Sequence, residues 1–548
     1  MASSRQRLLL AAAAGLALAD ASIVTLALPR LLSDLHATVE GVAAVIGVYT
    51  VVLAAALLPA ERIRKHAGSA RVGRGGLALF AAASAGCAAA GSLELLLALR
   101  ALQALGAAAT LVAAFDLLRA GDEHGPGRRL WTTAAVVGFA SGPALGGLLT
   151  QLFDWRAIFV AQAPIALAAL VAIRSDEDAA PEPEPEPRAP ERGPMIAPGL
   201  LSASLTAVLF LLVLLLVAGW NLEPVVAAIA VSVLPLAALA TRNASGNPRM
   251  LAATGCLLVA AGTLCLAFLP RASVFWTLVP QLLAGAGIGL ALPRLAGGLL
   301  PERSPAEAAR LLTARHAGIA VALVILAPVV SSNLDSATER AKERGVAIVL
   351  DSPLPPQAKL SLAPDLLAGV GDEQPRRGLE RAIAHHRSEF TGAYHAAYDR
   401  LATRADDTLV AAVADSFRLA FIITAVLAAI AAVAVLPREG RRRAFERLAV
   451  AAAAVPVGYV LLYAAISPKP VEIANPCRER ALPRASGAPA VVQDAALVSL
   501  DQIACHFGSS REQLVLALAD EREARRYKRE HGVDPRKAGN LLQGLIGG

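Results

Sequence analysis

The chain has 548 residues, of which 56% are hydrophobic and 17% are charged, and its mean hydropathy is +0.55. Soluble globular proteins have more charged and fewer apolar residues, so this composition excludes a soluble domain and predicts a polytopic membrane protein. The formal net charge is +7. In a membrane protein a surplus of Lys and Arg is expected in the cytoplasmic loops, so the charge alone does not indicate nucleic-acid binding.

Long apolar runs predict the membrane-spanning helices of an all-α protein. About 20 apolar residues in a helix span the hydrocarbon core of a bilayer. The first run begins after Arg5 and Arg7, and a secretory signal peptide is the alternative for it, which the many later runs disfavour. The thirteen predicted spans lie near residues 8–28, 41–60, 75–92, 94–118, 131–152, 157–173, 197–218, 223–241, 250–270, 273–297, 309–330, 416–436 and 446–466.

The basic residues of the connecting loops predict the orientation. They cluster after spans two, four, eight, ten and twelve, as in Arg62, Arg64 and Lys65 after the second span. Cytoplasmic loops carry the excess of Lys and Arg, which puts the N-terminus in the cytoplasm and, after an odd number of spans, the C-terminus outside the cell membrane. Basic segments beside the membrane also favour anionic lipid in the bilayer.

A proline-rich segment divides the spans into two groups. It contains DEDAAPEPEPEPRAPERGP, whose composition predicts an extended cytoplasmic linker. Six spans precede it and six follow, which is typical of transporters made of two six-helix halves with the substrate site between them. The predicted segments are an N-terminal half 1–173, a linker 174–196, a C-terminal half 197–436 with an outer loop 331–415, a basic loop and extra span 437–466, and an outer helical tail 467–548.

Two cysteines lie in the predicted outer tail. Cys477 and Cys505 would meet an oxidising compartment, which predicts a disulfide, with two unpaired buried thiols as the alternative. Ser509 and Glu512 have the spacing of a capping box for the helix that follows, and Gly532 is expected to end that helix.

Both outer segments also allow a second interpretation. His385, His386, Glu389 and His395 in the outer loop could form a metal patch, but their spacing matches no specific zinc pattern. A solvated helical surface is therefore expected, and no metal or cofactor is predicted. The tail sequence DQIACHFGSSREQLVLALAD has the rhythm of a DNA-binding helix-turn-helix unit. Its predicted position outside the membrane opposes this interpretation, so no nucleic-acid partner is expected.

Two charged residues are predicted to lie within the membrane. Asp20 is about 13 Å from the outer end of span one, and Arg100 is about 9 Å from the outer end of span four. Charges at such depths are costly, so the matching depths predict an ion pair or a proton site controlled by Arg100. A purely structural pair that joins spans one and four is the alternative.

Span five contains the motif GFASGPALGGLL. Gly138, Gly142 and Gly146 are four residues apart, which predicts the close approach of a neighbouring helix. Pro143 in the middle of the motif predicts a kink, and Gly147 completes the string GxxxGPxxGG. That string is much more specific than a single GxxxG pair, so span five is expected to have a conformational role.

These motifs resemble those of the major facilitator superfamily, in particular its drug:proton antiporter branch. Residues 138–149 are similar to the antiporter motif of the fifth helix, and residues 19–29 to the first-helix motif, with Asp20 in the acidic position. RALQALGAA from Arg100 resembles the fourth-helix motif, whose basic residue is associated with proton coupling in that family.

The resemblance implies a proton-coupled secondary transporter that exports a hydrophobic or amphiphilic small molecule by alternating access. It implies that Asp20, Arg100 and Gln103 serve proton coupling or line the substrate cavity. We add Gln281 to this set because it is the main polar side chain deep in the second half. An apolar substrate is favoured over an anionic one, because a bound anion would need more cationic groups than Arg100 supplies. Arg294 lies near the cytoplasmic edge, where it can reach water.

The loop after span two departs from the family pattern. LPAERIRKHAGSARVGR keeps at most Glu61 and Arg62 of the family's gating core and lacks its glycine framework. This departure and the extra span favour a second hypothesis, a non-transporting scaffold or sensor that presents the outer loop and the tail to a partner at the cell surface. The motifs within the membrane favour transport. An enzyme is not expected, because no nucleophile, phosphate loop or metal constellation has a useful spacing.

Overall fold

The computed structural model describes residues 4–121, 125–173, 192–295, 304–370, 375–436, 442–480, 482–483 and 488–537. Within these residues all regular secondary structure is helical, which confirms the predicted all-α class. The chain divides into two compact units. The first unit comprises Met1–Ala218, Leu222–Ser332 and Phe417–Ile466, and the second comprises Gly219–Asn221, Asn333–Ser416 and Ser467–Gly548.

The helices follow the order of the predicted apolar runs. A π-helical turn, Leu215–Gly219, ends the eighth helix, and two 3-10 turns, Arg387–Glu389 and Gly392–Tyr394, precede the sixteenth. In chain order the helices are α1 (Ser4–Thr25), α2 (Leu28–Asp34), α3 (Val39–Ala67), α4 (Ser69–Ala89), α5 (Leu93–Leu117), α6 (Pro126–Leu152), α7 (Arg156–Ala172), α8 (Arg192–Leu214), α9 (Pro224–Val231), α10 (Val233–Thr241), α11 (Pro248–Ala267), α12 (Val274–Pro293), α13 (Pro305–Leu350), α14 (Pro356–Val370), α15 (Pro375–His386), α16 (His395–Ala434), α17 (Arg442–Ile466), α18 (Ala488–His506), α19 (Arg511–Ala519) and α20 (Glu521–His531).

The number of helices that can cross a membrane is close to the prediction. In the described residues 11 helices are long and apolar enough, or up to 12 if one bent pair counts as a single span. That pair is Ser141–Leu152 with Arg156–Ala172, bent by 120° at the break. Thirteen spans were predicted because the two helices of this pair were counted separately, as spans five and six. α7 has only 17 residues, or about 26 Å of helix, which is at the short limit for a crossing.

The predicted linker differs from its predicted form, whereas the outer loop has the helical structure that was expected of it. Residues 174–191 of the predicted linker 174–196 lie outside the described residues, and residues 192–196 already belong to α8. The outer loop 331–415 is almost entirely helical, since α13 continues to Leu350 and α16 begins at His395. Hydropathy located the apolar part of each of these helices, but it could not show that the helical hydrogen bonding continues into polar sequence.

The membrane helices of the first unit pack through small side chains. α4 and α5 lie so close that a Cβ atom on Gly76 would be 2.7 Å from the backbone nitrogen of Thr110. Ala104, Ala107 and Ala108 of α5 are completely buried in the core of this unit. Small residues allow this close helix contact, which stabilises helices that gain little from the hydrophobic effect inside lipid.

The second unit contains both outer segments that the sequence had treated separately. Ion pairs join the loop to the tail: Arg511 Nη2 lies 2.7 Å from Asp351 Oδ1, and Lys342 Nζ lies 3.5 Å from Glu523 Oε1. Gln513 of the tail also donates a hydrogen bond to Glu343 of the loop, at 3.2 Å. The loop and the tail therefore form one folded body.

The tail has its own small core and its own helix caps. Ile503, Ala504, Leu514, Ala517, Ala524 and Tyr527 pack together in it. The capping box uses Ser510 and Gln513, one residue later than the predicted Ser509 and Glu512. Ser509 instead shares a hydrogen bond with Tyr527, at 2.6 Å, which removes it from the cap. Gly532 ends α20, with a φ of 75° that favours glycine, but the single helix predicted from the cap to Gly532 is divided into α19 and α20 at Asp520.

A disulfide links Cys477 to Cys505, whose Cα atoms are 5.0 Å apart. It closes a loop with a sequence separation of 28 residues. Replacing both cysteines with Ser should lower the unfolding free energy of this unit by about 3.6 kcal/mol, because the chain-entropy model gives that value for a loop of this length. Thermal unfolding of the native protein and of the double variant, each with and without dithiothreitol, measures this loss of unfolding free energy. The reductant should lower the melting temperature of the native protein but not that of the double variant, and equal melting of the native protein in both conditions would contradict the prediction.

Candidate transport site

Asp20 of α1 and Arg100 of α5 form the ion pair that their depths predicted. Arg100 Nη1 lies 2.9 Å from Asp20 Oδ1, and Arg100 Nη2 lies 2.5 Å from Asp20 Oδ2. Both side chains are completely buried. A bidentate pair of this kind fixes the carboxylate and the guanidinium in one plane. Because an isolated charge within a bilayer costs at least about 2.5 kcal/mol, each residue makes the other tolerable at this depth.

Three further polar side chains complete a hydrogen-bonded network around the pair. Gln103 accepts a bond from Arg100 Nη1 at 2.6 Å and donates to Gln162 Oε1 at 2.6 Å and to Ser84 at 2.8 Å. Gln162 donates in turn to Asp20 Oδ1 at 3.0 Å. Gln103 was predicted from the sequence as part of this site, whereas Ser84 and Gln162 were not. Gln162 could have been noticed as the one amide side chain within span six.

Tyr49 of α3 connects this network to a cavity. The guanidinium carbon of Arg100 lies 4.3 Å from the centre of the Tyr49 ring, in a cation–π contact. The Tyr49 hydroxyl donates to the carbonyl oxygen of Ala17 at 3.0 Å. Tyr49 also belongs to the cavity wall. The same ring therefore contacts the buried cation on one side and the cavity on the other.

The cavity is narrow and lies among α1, α3, α8 and α13 of the first unit. Helices from before and after the proline-rich segment thus contribute to it, as expected for a site between two halves. α1 reaches both places, because Asp20 faces the network while residues next to it face the cavity. The lining residues are Ala17, Leu18, Ala21, Ser22, Thr25, Tyr49, Thr50, Ser202, Leu205, Thr206, Leu209, Arg315, His316 and Ile319.

The cavity corrects two expectations about the second half. Gln281 was expected to line it, but this side chain is not part of the wall. It is fully buried elsewhere on α12, where Nε2 donates to Thr277 at 3.0 Å. The second half also contributes a cation that the sequence analysis did not count. Arg315 of α13 lines the cavity and donates to the carbonyl oxygen of Leu18 at 3.2 Å, so Arg100 is not the only deep cation.

The glycine motif of α6 makes two helix contacts. A Cβ atom on Gly138 would be 2.7 Å from the carbonyl oxygen of Gly15 on α1. Added Cβ atoms on Gly142 and Gly146 would clash with Ser22 and Ile23 of the same helix, and one on Gly147 would clash with Ala228 of α9. Pro143 lies between these contacts, inside the helix. α6 therefore packs against α1 on one side and against a helix of the second half on the other.

Adding a single methyl group at Gly146 should disrupt this packing. In Gly146→Ala the new Cβ would clash with the backbone carbonyl of Ile23, which cannot move unless α1 moves. We expect a large loss of folded protein or of transport, by analogy with overpacking costs of about 1–3 kcal/mol. Gly75→Ala is the matched control, because a Cβ on that helical glycine would have no heavy atom within 4 Å. Equal yield and activity in both variants, measured by gel filtration and efflux, would contradict this role of Gly146.

One of the two predicted gating residues, Glu61, lies in a charged cluster between α3, α4 and α5. Glu61 is buried and accepts two bonds from Arg64, each of 2.8 Å. Arg64 also lies 2.9 Å from Asp116, which accepts a hydrogen bond from Ser69. Arg62, the other predicted residue, has an exposed side chain. Glu61 and Arg64 are three residues apart, on one helix face, and they are the pair that the sequence should have identified.

The histidines of the outer loop separate into two places. His386 Nε2 lies 2.8 Å from Asp365, and His386 Nδ1 lies 3.1 Å from Glu389. The ligand atoms of His385, His386 and Asp365 come within 4.8 Å of one another. His395 pairs instead with Asp399, at 3.0 Å. The four residues considered from the sequence therefore do not form one patch.

Comparison with known proteins decides the family. Residues 10–293, just over half of the chain, match the family model described as Major Facilitator Superfamily. The chain belongs to this superfamily. The methylenomycin A resistance protein of Bacillus subtilis (strain 168) is 35% identical over 156 residues, which are 28% of this chain and 34% of that protein. The tetracenomycin C resistance and export protein of Streptomyces glaucescens is 34% identical over 171 residues, 30% of this chain and 31% of that protein.

These matches define how far the likeness extends. The chain spans about a third of the length of the curated relatives it matches. A solved bacterial homologue of the human lysosomal transporter Spinster, in an inward-facing and occupied conformation, has a TM-score of 0.54 and 15% identity. The match covers 81% of this chain and 97% of that one, and it shows a shared fold. The predicted membership of the major facilitator superfamily is thus confirmed.

Proposed function

We propose that the protein is a proton-coupled exporter of a hydrophobic or amphiphilic small molecule that works by alternating access. The observation that carries this proposal is the buried Asp20–Arg100 pair next to a cavity whose wall includes Tyr49. The names of the two relatives, a resistance protein and a resistance and export protein, support export as the direction of transport.

The geometry supports a simple coupling mechanism through α1. A proton on Asp20 removes its negative charge and converts one carboxylate oxygen from an acceptor to a donor. The bidentate bonds from Arg100 then weaken, and α1 is released from α5. Because α1 also forms part of the cavity wall, this movement changes the space available to a substrate. Proton binding and substrate binding are therefore linked by the position of a single helix.

The glycine contacts of α6 support a conformational role in the same cycle. α6 contacts α1 through Gly142 and Gly146 and contacts α9 through Gly147. A shift of α1 is thus transmitted to a helix of the second half through closely packed backbone. We propose that this contact closes one side of the transporter and separates when the two halves rock.

We also propose the membrane topology predicted above, with halves 1–173 and 197–436, an extra span within 437–466 and the tail 467–548 outside the cell membrane. The ion pair between Arg511 of the tail and Asp351 of the loop supports it, because segments in contact lie on one side of the membrane. α16 returns the chain from the loop to the cytoplasm. α17 then has to cross the bilayer again before the tail can reach the loop.

Transport of a fluorescent amphiphile into inverted membrane vesicles tests the proposed function. Respiration makes the vesicle lumen acidic, and a proton antiporter then accumulates its substrate in the lumen. We expect accumulation that stops when nigericin collapses the pH gradient, and no accumulation in vesicles without the protein. Accumulation that is the same with and without the pH gradient would contradict proton coupling.

The second unit supports an alternative function as a surface scaffold or sensor. Ion pairs hold the loop and the tail together as one body, a disulfide closes a loop within the tail, and such a body can bind a partner outside the cell. Deletion of residues 467–548 separates the two hypotheses. A transporter whose tail is accessory should keep gradient-driven efflux, whereas a scaffold should show none in either form.

A further inference from the structure

Arg315 is a cation of the cavity wall that no carboxylate of the described residues neutralises. It lies in α13, about 15 Å from the start of that helix. Within the described part of the chain, its guanidinium donates one hydrogen bond, from Nη2 to the carbonyl oxygen of Leu18. A guanidinium has five N–H donors, so most of its donor capacity remains. Among the residues that the structure describes, no Asp or Glu lies within ion-pair distance of Arg315.

Arg100 differs from Arg315 in every one of these respects. Its guanidinium binds both oxygens of Asp20, the amide oxygen of Gln103 and the carbonyl oxygen of Val45. It is completely buried and does not line the cavity. Four of its five N–H donors are therefore already used within the network. The two arginines therefore differ in position. Arg100 is bound to the carboxylate of Asp20, whereas Arg315 lines the cavity.

The remainder of the cavity wall suits the body of an amphiphile. Leu18, Leu205, Leu209 and Ile319 supply apolar side chains. The hydroxyls of Ser22, Thr25 and Thr50 already donate to carbonyl oxygens of their own helices, so they present little unused polarity. Ser202, Thr206 and His316 also line the cavity, so Arg315 lies in a wall of both apolar and polar side chains. A guanidinium in such surroundings prefers a carboxylate or a phosphate, which it can bind with two parallel hydrogen bonds.

We infer that the transported compound is an anionic amphiphile whose carboxylate or phosphate group binds Arg315. This inference rests on the proposed function and gives its substrate class. It replaces the expectation of an apolar substrate, which held only while Arg100 was counted as the sole deep cation. A bound anion also neutralises Arg315, so the substrate and this side chain compensate each other inside the membrane.

Equilibrium binding without a proton gradient tests the inference separately from transport. The protein is placed in nanodiscs of phosphatidylcholine, and three fluorescent probes with the same dodecyl chain carry a carboxylate, a neutral amide or an amine. We expect the carboxylate to bind at least about tenfold more tightly than the amide, which corresponds to 1.4 kcal/mol, and the amine to bind least. Equal affinity for carboxylate and amide would overturn the inference while leaving the transport proposal intact.

Variants of one helix show whether Arg315 is the group responsible. Arg315→Gln should abolish the preference for the carboxylate, and Arg315→Lys should keep part of it, because a point charge remains without the planar fork. Arg310→Gln is the matched control, since Arg310 lies on the same helix and does not line the cavity. A preference that persists in Arg315→Gln would contradict the inference. If Arg315→Gln fails to fold, Arg315→Lys is compared with the native protein. A weaker preference for the carboxylate in Arg315→Lys then supports the inference, and an unchanged preference contradicts it.

A second set of probes distinguishes the two sources of such an anion. A single-chain alkyl phosphate represents a lipid, and a short aromatic carboxylate represents a soluble metabolite or drug. Each probe is tested for its ability to displace the bound dodecyl carboxylate. The stronger competitor shows whether an alkyl chain or an aromatic ring fits the cavity wall better. Competition by either one supports an anion site at Arg315, and competition by neither would contradict it.

Discussion

Asp20→Asn should reduce gradient-driven efflux to the level of vesicles without the protein. The substitution keeps the size of the side chain and removes the carboxylate of the described network, which is the group proposed to bind the coupling proton. Without that proton, movement of α1 is no longer linked to the pH gradient. Binding of the amphiphile at the cavity should persist, because Asp20 does not line it. Efflux at equal amounts of folded protein, with and without nigericin, measures the effect.

The control for this variant is an acidic residue outside the network. Glu94 lies in the first turn of α5 with its side chain exposed, so Glu94→Gln changes the net charge equally but leaves the network intact. We expect normal efflux from it. If Asp20→Asn exported at the normal rate and still responded to nigericin, the ion pair would be structural, and the coupling group would lie elsewhere.

Arg100→Ala should have the largest effect on stability. It leaves the carboxylate of Asp20 buried without a cation and removes the bonds to Gln103 and Val45. Loss of one partner of a buried pair costs about 3–5 kcal/mol, which is a large part of the stability of most proteins. We expect a strong decrease in the yield of folded protein and in its melting temperature in detergent. Lower pH should restore part of the stability, because a protonated Asp20 no longer carries the unpaired charge.

A double variant separates the charge effect from the loss of packing. In Asp20→Asn with Arg100→Gln neither member is charged, so the penalty for an isolated buried charge disappears. Its melting temperature should lie well above that of Arg100→Ala at neutral pH and should not depend on pH between 5 and 8, roughly the range in which a perturbed carboxyl titrates. A double variant that is as unstable as Arg100→Ala would show that packing, and not the unpaired charge, dominates the loss.

Several features were predictable because strong physical constraints leave few solutions. A charge deep in a bilayer needs a partner at its own depth, and this led from Asp20 to Arg100. Two cysteines outside the membrane favour a disulfide, and the structure contains the one between Cys477 and Cys505. The length of an apolar run fixes a helix within a few residues. Each of these arguments uses either local sequence or a single distance along the membrane normal.

Other features depend on rotation and on contacts between distant segments. Which face of α13 lines the cavity could not be read from residues 309–330, because the face that meets another helix and the face that meets lipid are equally apolar. Arg315 could have been noticed as a charge within this run, as Asp20 was in the first, but its position in the cavity wall could not be predicted. Gln281 was assigned to the cavity, although it contacts Thr277 of its own helix. The association of loop and tail depends on ion pairs such as Arg511–Asp351, between residues far apart in sequence. No periodicity within either segment predicts such a pair.

Proton movement that is driven by substrate tests the central claim most directly. Proteoliposomes that contain the purified protein and the pH indicator pyranine are given an inward gradient of the anionic amphiphile, with no pH gradient and with valinomycin and K⁺ to clamp the voltage. Native protein should exchange luminal protons for the entering substrate, so the luminal pH should rise at a rate that follows substrate uptake. Asp20→Asn should show no such change. Substrate uptake by the native protein without a change in luminal pH, or an equal pH change in Asp20→Asn, would contradict a proton-coupled exporter whose coupling group is Asp20.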